Sequence, residues 1–192
     1  MTIRQPALGA AARRLDQRAQ LRLLLRRRAI ERRVQALGRQ ITRDFRGQRV
    51  LLIAVLKGAA IFLADLIRHI HLDVGVEFMA VSSYGSGDRS SGEVRLTKDL
   101  DMRIEGHNVI LVEDILDTGL TLSYLKKLLL AHQPACLKVA TLLDKECRRV
   151  QPLKADYVGF TIPDEFVVGY GMDYAEKYRN LPEIRVLPPE LL

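Results

Sequence analysis

Residues 109–121 read VILVEDILDTGLT, and this stretch decides the fold. It begins with four apolar residues, 109–112, which is typical of a strand that is buried on both faces of a parallel sheet. Two adjacent carboxylates, Glu113 and Asp114, follow directly, so the strand delivers them to its carboxyl end. Ligands of open α/β sheets bind outside that edge. The stretch therefore predicts an α/β fold with a binding site at the end of this strand.

The second half of the stretch, residues 117–121 (DTGLT), has the features of a phosphate-binding loop. It precedes a predicted helix over residues 120–130, and helix N-termini present unpaired N–H groups and the positive end of the helix dipole. Gly119 allows the backbone to approach a ligand closely. The hydroxyl groups of Thr118 and Thr121 add two further hydrogen-bond donors.

The adjacent carboxylates allow two interpretations. Glu113 and Asp114 can accept hydrogen bonds from the vicinal hydroxyls of a ribose, or they can bind a hydrated Mg²⁺. On their own they would equally fit an ordinary acidic strand end or a helix cap. The DTGLT loop three residues later favours a ligand site, because the two halves together offer groups for a sugar and for a phosphate.

Outward from this stretch, strand patterns alternate with helical patterns, which predicts an α/β core with a mostly parallel sheet. A Gly-, Ser- and Asp-rich segment over residues 84–92 predicts a mobile loop. Helices are predicted over residues 59–70 and 120–130. Strands are predicted over residues 50–56, 74–82, 93–97, 109–112, 137–143 and 157–162.

The N-terminal region predicts a flexible leader over residues 1–10, followed by a helix over residues 11–37 that Gly38 caps. Residues 11–192 are expected to form a single domain, with a small lobe contributed largely by residues 163–192. The helical prediction rests on apolar residues near a 3.6-residue period, namely Leu21, Leu24, Leu25, Ile30, Val34 and Leu37.

The positive charge of the chain is confined to its N-terminal quarter. Residues 1–50 hold 14 Arg, no Lys and three acidic residues, a net charge of +11, whereas residues 51–192 hold 16 basic and 20 acidic residues, a net charge of −4. One interpretation is contact with nucleic acid or another polyanion. We favour a solvated, Arg-rich helix face and expect no nucleic-acid partner.

Several protein classes are disfavoured by composition. No apolar run approaches the roughly 20 residues of a membrane-spanning helix, and the N-terminus has no apolar stretch with a cleavage site typical of a signal peptide. Cys136 and Cys147 show no metal-binding spacing, so we expect two reduced thiols. These observations predict a cytoplasmic protein without a membrane partner.

The residues that carry the chemistry resemble a known family. The block EDILDTGLTL, residues 113–122, resembles the phosphoribosyl-pyrophosphate motif of the type I phosphoribosyltransferases and is most similar to the hypoxanthine-guanine branch. The resemblance extends over about residues 29–185. It implies a mostly parallel twisted sheet flanked by helices, with a small purine-binding lobe and an N-terminal helix. It also implies transfer of a phosphoribosyl group to hypoxanthine or guanine with Mg²⁺, giving IMP or GMP and pyrophosphate.

The resemblance assigns roles to the central motif. Glu113 and Asp114 would meet the ribose hydroxyls and the Mg²⁺, and Asp117 would manage the proton at the purine N7. Clustered negative charge suits a reaction that passes through an oxocarbenium-like ribosyl group. The 5′-phosphate would be held by Asp117, Thr118, Gly119, Leu120 and Thr121.

Two other segments are implied to hold the pyrophosphate. Lys57 and Gly58 resemble the family's pyrophosphate loop, in which the peptide bond before the Lys is often cis, and Arg179 follows at the family spacing. Ser83 and Tyr84 begin the predicted loop, which the resemblance identifies as a flap. Closure of such a flap excludes water, which competes with the base for the ribosyl group.

The purine would be recognised by the end of one strand and by the segment FTIPDEFVVGYGMDYAEKY, residues 160–178. Lys145 would donate to the 6-oxo group, and a donor-only ammonium disfavours the amino group of adenine. Phe166 would stack on the base, and the backbone of Val167 would contact the purine edge. Asp173 would reach a second Mg²⁺ or the 2-amino side of guanine.

The resemblance also predicts the partners, which are phosphoribosyl pyrophosphate, hypoxanthine and guanine, and a homo-oligomer that is a dimer or a tetramer. A second hypothesis is a regulator that keeps the nucleotide fold and binds RNA. Asp117, Lys145 and the purine-binding segment argue against it, because such regulators lack the acid. A third hypothesis is an enzyme that prefers xanthine.

Overall fold

The computed structural model describes residues 20–83 and 94–192, and its centre is a six-stranded sheet in the order β4-β3-β2-β5-β6-β7. Five strands pair in parallel, and only β4 is antiparallel, to β3. The predicted mostly parallel α/β sheet is thus confirmed. The strands are β2 (Val50–Leu56), β3 (Val74–Ser83), β4 (Val94–Lys98), β5 (Asn108–Leu116), β6 (Cys136–Asp144) and β7 (Tyr157–Thr161).

Three helices cover the two faces of this sheet, namely α1 (Arg27–Asp44), α2 (Ala60–Ile67) and α3 (Leu120–Ala131). Alternate residues of a strand point to opposite faces. On one face, Leu52 and Ala54 of β2 pack with α1 and α2. On the other face, Leu51 and Ile53 pack with α3. This double cover explains why β2 is an unbroken apolar run.

The N-terminal helix prediction was wrong for residues 22–25, which form strand β1 (Arg22–Leu25). This strand pairs antiparallel with β9 (Ile184–Val186), which also pairs with β8 (Val167–Val168), so the three make a small sheet. The leucines of β1 fit a helical period by chance. Pairing with β9, about 160 residues away in sequence, makes these residues a strand instead. The helix begins at Arg27.

Gly38 was predicted to cap the helix and instead lies buried within α1. A Cβ atom at this position would fall 2.5 Å from the Cβ of His69 and 2.6 Å from its carbonyl oxygen. The residue is therefore glycine because α1 approaches the end of α2 closely. The helix continues past it to Asp44, where Phe45 follows as the C-terminal cap.

Some predictions fall outside the described residues. These are the leader over residues 1–10, the first part of the predicted helix, and the whole of the loop over residues 84–92. Within residues 20–83 and 94–192, none of the helices combines the length and hydropathy needed to cross a bilayer. Cys136 and Cys147 are both free thiols.

Candidate active site

A cavity of about 430 Å³ lies beyond the carboxyl ends of β5 and β6. Because β5 and β6 are parallel, their carboxyl ends lie at the same edge of the sheet. The segment around β8 lines the side of the cavity opposite these strand ends. The cavity thus joins three segments that are far apart in sequence. Its lining consists of Asp114, Ile115, Asp117, Thr118, Lys145, Arg148, Phe166, Val167, Met172 and Asp173.

The phosphate-type loop lies between the end of β5 and the start of α3. Gly119 immediately precedes the helix and has φ +82°, a left-handed conformation that an L side chain rarely adopts. Thr118 Oγ1 accepts a hydrogen bond from the backbone N–H of Leu120 at 3.4 Å. The loop therefore enters the helix through a turn that depends on glycine, with Asp117 and Thr118 facing the cavity.

The two carboxylates at the end of β5 are held in a desolvated environment. Burial raises the pKa of Asp114 to about 6, although a hydrogen bond from the Ile115 N–H to Asp114 Oδ1, 2.8 Å, acts in the opposite direction. Burial, with the charge of Asp114 as a second cause, also raises the pKa of Glu113 well above its usual range. The Oε2 atom of Glu113 is inaccessible to solvent and has no hydrogen-bond partner.

These carboxylates fit a divalent cation that is shared with a substrate. Within the described part of the chain, no three His, Cys, Asp or Glu side chains are close enough to enclose a metal ion. Mg²⁺ is usually bound by one or two carboxylates together with substrate oxygens and water, so an incomplete protein cage suits it. The unpartnered Glu113 Oε2 and the desolvated Asp114 would both gain from a nearby cation.

The turn after β2 packs directly against Asp114. A Cβ atom at Gly58 would fall 1.8 Å from Asp114 Oδ2, so no other residue fits without displacing that carboxylate. The peptide bond between Leu56 and Lys57 is cis. Lys57 Nζ lies 3.1 Å from Glu176 Oε1, and both side chains are about two-thirds exposed. The Lys57-Gly58 turn thus reaches from the β5 carboxylates to the segment that follows β8.

That segment, residues 169–179, carries the predicted Asp173 and Arg179. An Arg179 Nη atom lies 2.8 Å from Asp173 Oδ1, and the other Nη donates to the carbonyl of Gly171 at 2.8 Å. Gly171 has φ +102°, and a Cβ there would fall 2.2 Å from the carbonyl oxygen of Gly58. The two glycines allow this segment and the Lys57-Gly58 turn to lie in contact.

The base side of the cavity combines a buried cation with an exposed ring. Lys145 is only 5% exposed, and its Nζ lies 4.0 Å from Asp164 Oδ1. Phe166 is 37% exposed although it is large and apolar, and its ring lies nearly perpendicular to that of Tyr174 with centroids 5.6 Å apart. A partly exposed aromatic ring beside a buried donor suits a flat heterocycle that carries an acceptor oxygen.

Two functional candidates escaped the sequence analysis. Arg148 lines the cavity, with Nε 3.6 Å from Asp117 Oδ1 and an Nη atom 3.7 Å from Asp164 Oδ1. Arg149 is largely buried, donates from Nε to the carbonyl of Asp117 at 3.0 Å, and pairs with the Asp144 carboxylate. A sequence signal was present, since two Arg follow Lys145 closely, but charge alone does not distinguish a solvated side chain from one that binds backbone.

The predicted site residues are thus mostly brought together. Seven of them line the cavity, Glu113 precedes Asp114 in β5, and Leu120 and Thr121 begin α3. Ser83 ends β3, whereas Tyr84 lies outside the described residues, so the flap stays a prediction. Arg179 also borders a larger cavity of about 590 Å³ between α1, α2 and residues 170–182. We assign the site to the smaller cavity, because the carboxylates, the loop and Lys145 converge there.

Comparison with known proteins places this arrangement in a family. Residues 22–175 match the phosphoribosyl transferase domain. The hypoxanthine-guanine phosphoribosyltransferase of Bacillus subtilis is 50% identical over 168 residues, which cover 88% of this chain and 93% of that protein.

Solved structures agree with this match. The hypoxanthine-guanine phosphoribosyltransferase of Bacillus anthracis, with HEPES in its active site, is 53% identical with a TM-score of 0.83, and the match covers 86% of this chain and 98% of that one. The hypoxanthine phosphoribosyltransferase of Staphylococcus aureus is 47% identical with a TM-score of 0.84, covering 88% and 91%. The chain therefore belongs to the phosphoribosyltransferase family, in its hypoxanthine-guanine branch.

Proposed function

We propose that this protein transfers the 5-phosphoribosyl group of 5-phosphoribosyl-1-pyrophosphate to hypoxanthine or guanine, which gives IMP or GMP and pyrophosphate and serves purine salvage. The observation that carries the proposal is the convergence of Asp117, Lys145 and Phe166 on one cavity. They offer a proton acceptor, a buried donor and a stacking face beside a loop suited to a phosphate. The relatives of similar length and about 50% identity bear the name of this activity.

The nucleotide phosphate is assigned to residues 117–121. The loop precedes α3, so its backbone N–H groups and the positive end of the helix dipole can act on the same anion. The hydroxyls of Thr118 and Thr121 add donors. Since a phosphoryl group binds to backbone and hydroxyl groups here, the charged side chains nearby remain free for other parts of the substrates.

The purine is assigned to the space between Phe166 and Lys145. The ammonium of Lys145 would donate to the 6-oxo group and would leave the amino group of adenine without a partner. The carboxylate of Asp117 would accept or return the proton at N7 as the bond to the ribose forms. Its Oδ1 atom has no hydrogen-bond partner, and Arg148 Nε lies 3.6 Å from it. The backbone of Val167 would contact the purine edge.

Mg²⁺ is the cofactor that the carboxylates suit best. Glu113, Asp114 and Asp173 would hold it together with oxygens of the substrates, and the ion would supply positive charge to the pyrophosphate leaving group. Lys57, the N–H of Gly58 and Arg179 would bind the same pyrophosphate. The buried negative charge at the end of β5 would stabilise the oxocarbenium-like ribosyl group.

We further propose a cytoplasmic homo-oligomer with residues 11–192 as a single domain. The family match over residues 22–175 supports one domain, because it includes α1, the central sheet and part of the β8 segment. A related structure, 44% identical, concerns how the C-terminal region of Trypanosoma cruzi hypoxanthine phosphoribosyl transferase affects its oligomeric state. Molecular mass in solution distinguishes a dimer from a tetramer.

A turnover assay with four bases tests the proposed activity. The purified protein is mixed with phosphoribosyl pyrophosphate, Mg²⁺ and hypoxanthine, guanine, xanthine or adenine, and pyrophosphate release is measured. We expect turnover with hypoxanthine and guanine and none with adenine. A chain that releases no pyrophosphate with any base is not such an enzyme, and one that turns over xanthine fastest has a different specificity.

A further inference from the structure

The segment over residues 145–151, which we call the clamp segment, binds three consecutive carbonyl groups at the point where β5 ends and the phosphate-type loop begins. The carbonyl of Leu116 accepts from the N–H of Lys145 at 2.9 Å. The carbonyl of Asp117 accepts from Arg149 Nε at 3.0 Å. The carbonyl of Thr118 accepts from the N–H groups of residues 150 and 151 at 2.9 and 3.1 Å. All three carbonyls are therefore drawn to the same side of the loop.

This pattern fixes the direction of the neighbouring N–H groups. In a planar trans peptide, the carbonyl and the following N–H point in opposite directions. The N–H groups of Asp117, Thr118 and Gly119 are thus turned away from the clamp segment, and none of them donates to another group in the described part of the chain. Successive N–H groups that face one side form a concave site for an anion.

Arg149 is the side chain that completes this arrangement. Its guanidinium also donates to the carbonyl of Leu153 and pairs with the carboxylate of Asp144. The Arg149 side chain is 14% exposed and that of Asp144 is 6% exposed, so the pair is shielded from solvent. Arg149 Cδ would lie 3.2 Å from a Cβ at Gly119, which shows how closely the arginine follows the loop.

We propose that Arg149 is a positioning residue, which turns the N–H groups of the loop toward the 5′-phosphate without touching the substrate itself. The inference rests on the proposed function. The charge of Arg149 is satisfied by Asp144, so it acts on the phosphate through the loop backbone. The three nitrogens of the planar guanidinium each bind a different group here, the carbonyls of Asp117 and Leu153 and the carboxylate of Asp144, and the three donors of a lysine ammonium all sit on one nitrogen and cannot reach all of them.

The inference predicts a defect that is specific for phosphate-bearing ligands. Arg149→Ala and Arg149→Lys are expected to raise KM for phosphoribosyl pyrophosphate by about tenfold or more, because misplaced groups lose their contacts with the anion. KM for hypoxanthine should change far less. Binding measured by calorimetry should weaken for GMP to a similar extent and stay the same for guanosine, which has no phosphate.

Arg185→Ala is the matched control. Arg185 is also a partly buried arginine that donates to a backbone carbonyl, that of Leu21 at 2.9 Å, and pairs with Glu183, but it lies in the small sheet. We expect this variant to melt at a lower temperature with both KM values unchanged. Guanidinium ions at low concentration should restore GMP binding to Arg149→Ala, and sodium at equal ionic strength should not.

Two outcomes overturn the inference. The first is an Arg149→Ala protein that melts lower, like Arg185→Ala, and keeps its KM for phosphoribosyl pyrophosphate. The second is an Arg149→Lys protein with unchanged GMP affinity. Arg149→Lys keeps a cation beside Asp144, so it tests the inference even if the alanine variant fails to fold. An unmodified chain without transferase activity would instead contradict the proposed function.

Discussion

The two halves of the candidate site are built in different ways. The phosphate half, residues 113–121, is held by backbone hydrogen bonds to the clamp segment and by the shielded Arg149. The pyrophosphate half, the Lys57-Gly58 turn with residues 169–179, is held by glycine contacts and by the Lys57–Glu176 ion pair, whose side chains are 68% and 66% exposed. The first half is fixed before substrate arrives.

This difference shows which half of the site has to change its contacts when substrate binds. Exposed ion pairs add little to stability, because water and salt screen them. Lys57 and Arg179 already have carboxylate partners, Glu176 and Asp173, which a pyrophosphate would have to replace. The phosphate half offers N–H groups with no competing partner. We therefore expect substitutions in the phosphate half to disturb groups that are already in position for the substrate. Substitutions in the pyrophosphate half should instead change how easily Lys57 and Arg179 leave their carboxylate partners for the pyrophosphate.

The largest effect is expected from Asp117→Asn, in the phosphate half. An amide cannot take the N7 proton, so kcat should fall by at least about 10²-fold, within the range for general acid–base residues. GMP binding should persist, because the loop backbone is unchanged. Single-turnover rates together with GMP titration check this, and an unchanged kcat would remove Asp117 from the mechanism.

Gly58→Ala tests the contact between the two halves. Its Cβ would collide with the Asp114 carboxylate and move it, and a displacement of about 1 Å can cost about 10²-fold in kcat/KM. The matched control is Gly75→Ala, whose Cβ would meet mainly the flexible end of the Leu51 side chain, at 3.0 Å. Normal kcat/KM in Gly58→Ala would show that the halves do not depend on this contact.

Lys145→Gln tests base specificity beside the phosphate half, since Lys145 begins the clamp segment that holds this half. An amide can both donate and accept, so discrimination against adenine should relax by about tenfold or more from a starting ratio of about 10⁴. The ratio of kcat/KM for guanine to that for adenine measures the effect. A variant that loses guanine turnover and still excludes adenine completely would refute the specificity role.

Glu113→Gln tests whether the buried carboxylate of the phosphate half lowers the stability of the fold. Burial raises the pKa of Glu113, and its Oε2 atom has no partner, so a neutral amide should be tolerated better in the metal-free protein. We expect an increase of about 2–4 °C in Tm, the shift that about 1 kcal/mol produces in a domain of this size.

The activity of Glu113→Gln should fall together with its gain in stability, because the amide contributes less to holding a cation. Calorimetry with and without Mg²⁺ measures the change in melting temperature, and a turnover assay measures the loss of activity. A lower melting temperature in the absence of metal would mean that the charged form of Glu113 stabilises the fold.

The smallest effect is expected from Glu176→Gln in the pyrophosphate half. The hydrogen bond with Lys57 lowers the pKa of Glu176, yet the pair is open to solvent, so its loss should leave the melting temperature unchanged within error. Lys57 no longer has to leave a carboxylate, so KM for phosphoribosyl pyrophosphate should stay the same or fall slightly. An increase in KM of about tenfold would show that Glu176 orders the turn, contrary to the weak coupling of exposed pairs.

The sequence predicted the phosphate half better than the rest, because that half is local. Four apolar residues, two acids and a Thr-Gly loop stand in one stretch, and the structure has β5 and α3 on either side of the turn. The double-sided burial of β2 was equally clear from its unbroken apolar run. In both cases the pattern and the contacts involve neighbouring residues or a single regular element.

Long-range contacts were not predictable in the same way. The pairing of β1 with β9, the packing of Gly171 on Gly58 and the bonds of Arg149 join residues that are far apart or that carry no distinctive pattern. Leu24 and Leu25 fit a helix and a strand equally well by sequence alone. Arg149 is one of 13 positive charges, Lys or Arg, among residues 95–185, and only the carbonyls around it identify its role.

The small sheet also sets the order in which parts of this protein can fold during synthesis. Arg22 of β1 pairs with Val186 of β9, so the two strands meet only after the intervening chain of more than 160 residues has been synthesised. At about 5–20 residues per second, a ribosome needs roughly 8–30 s for that span. The α/β core can form within this interval, whereas the sheet that carries Val167 cannot close. The clamp segment ends 35 residues before Val186, so the nascent chain is expected to complete its phosphate loop about 2–7 s before its purine pocket.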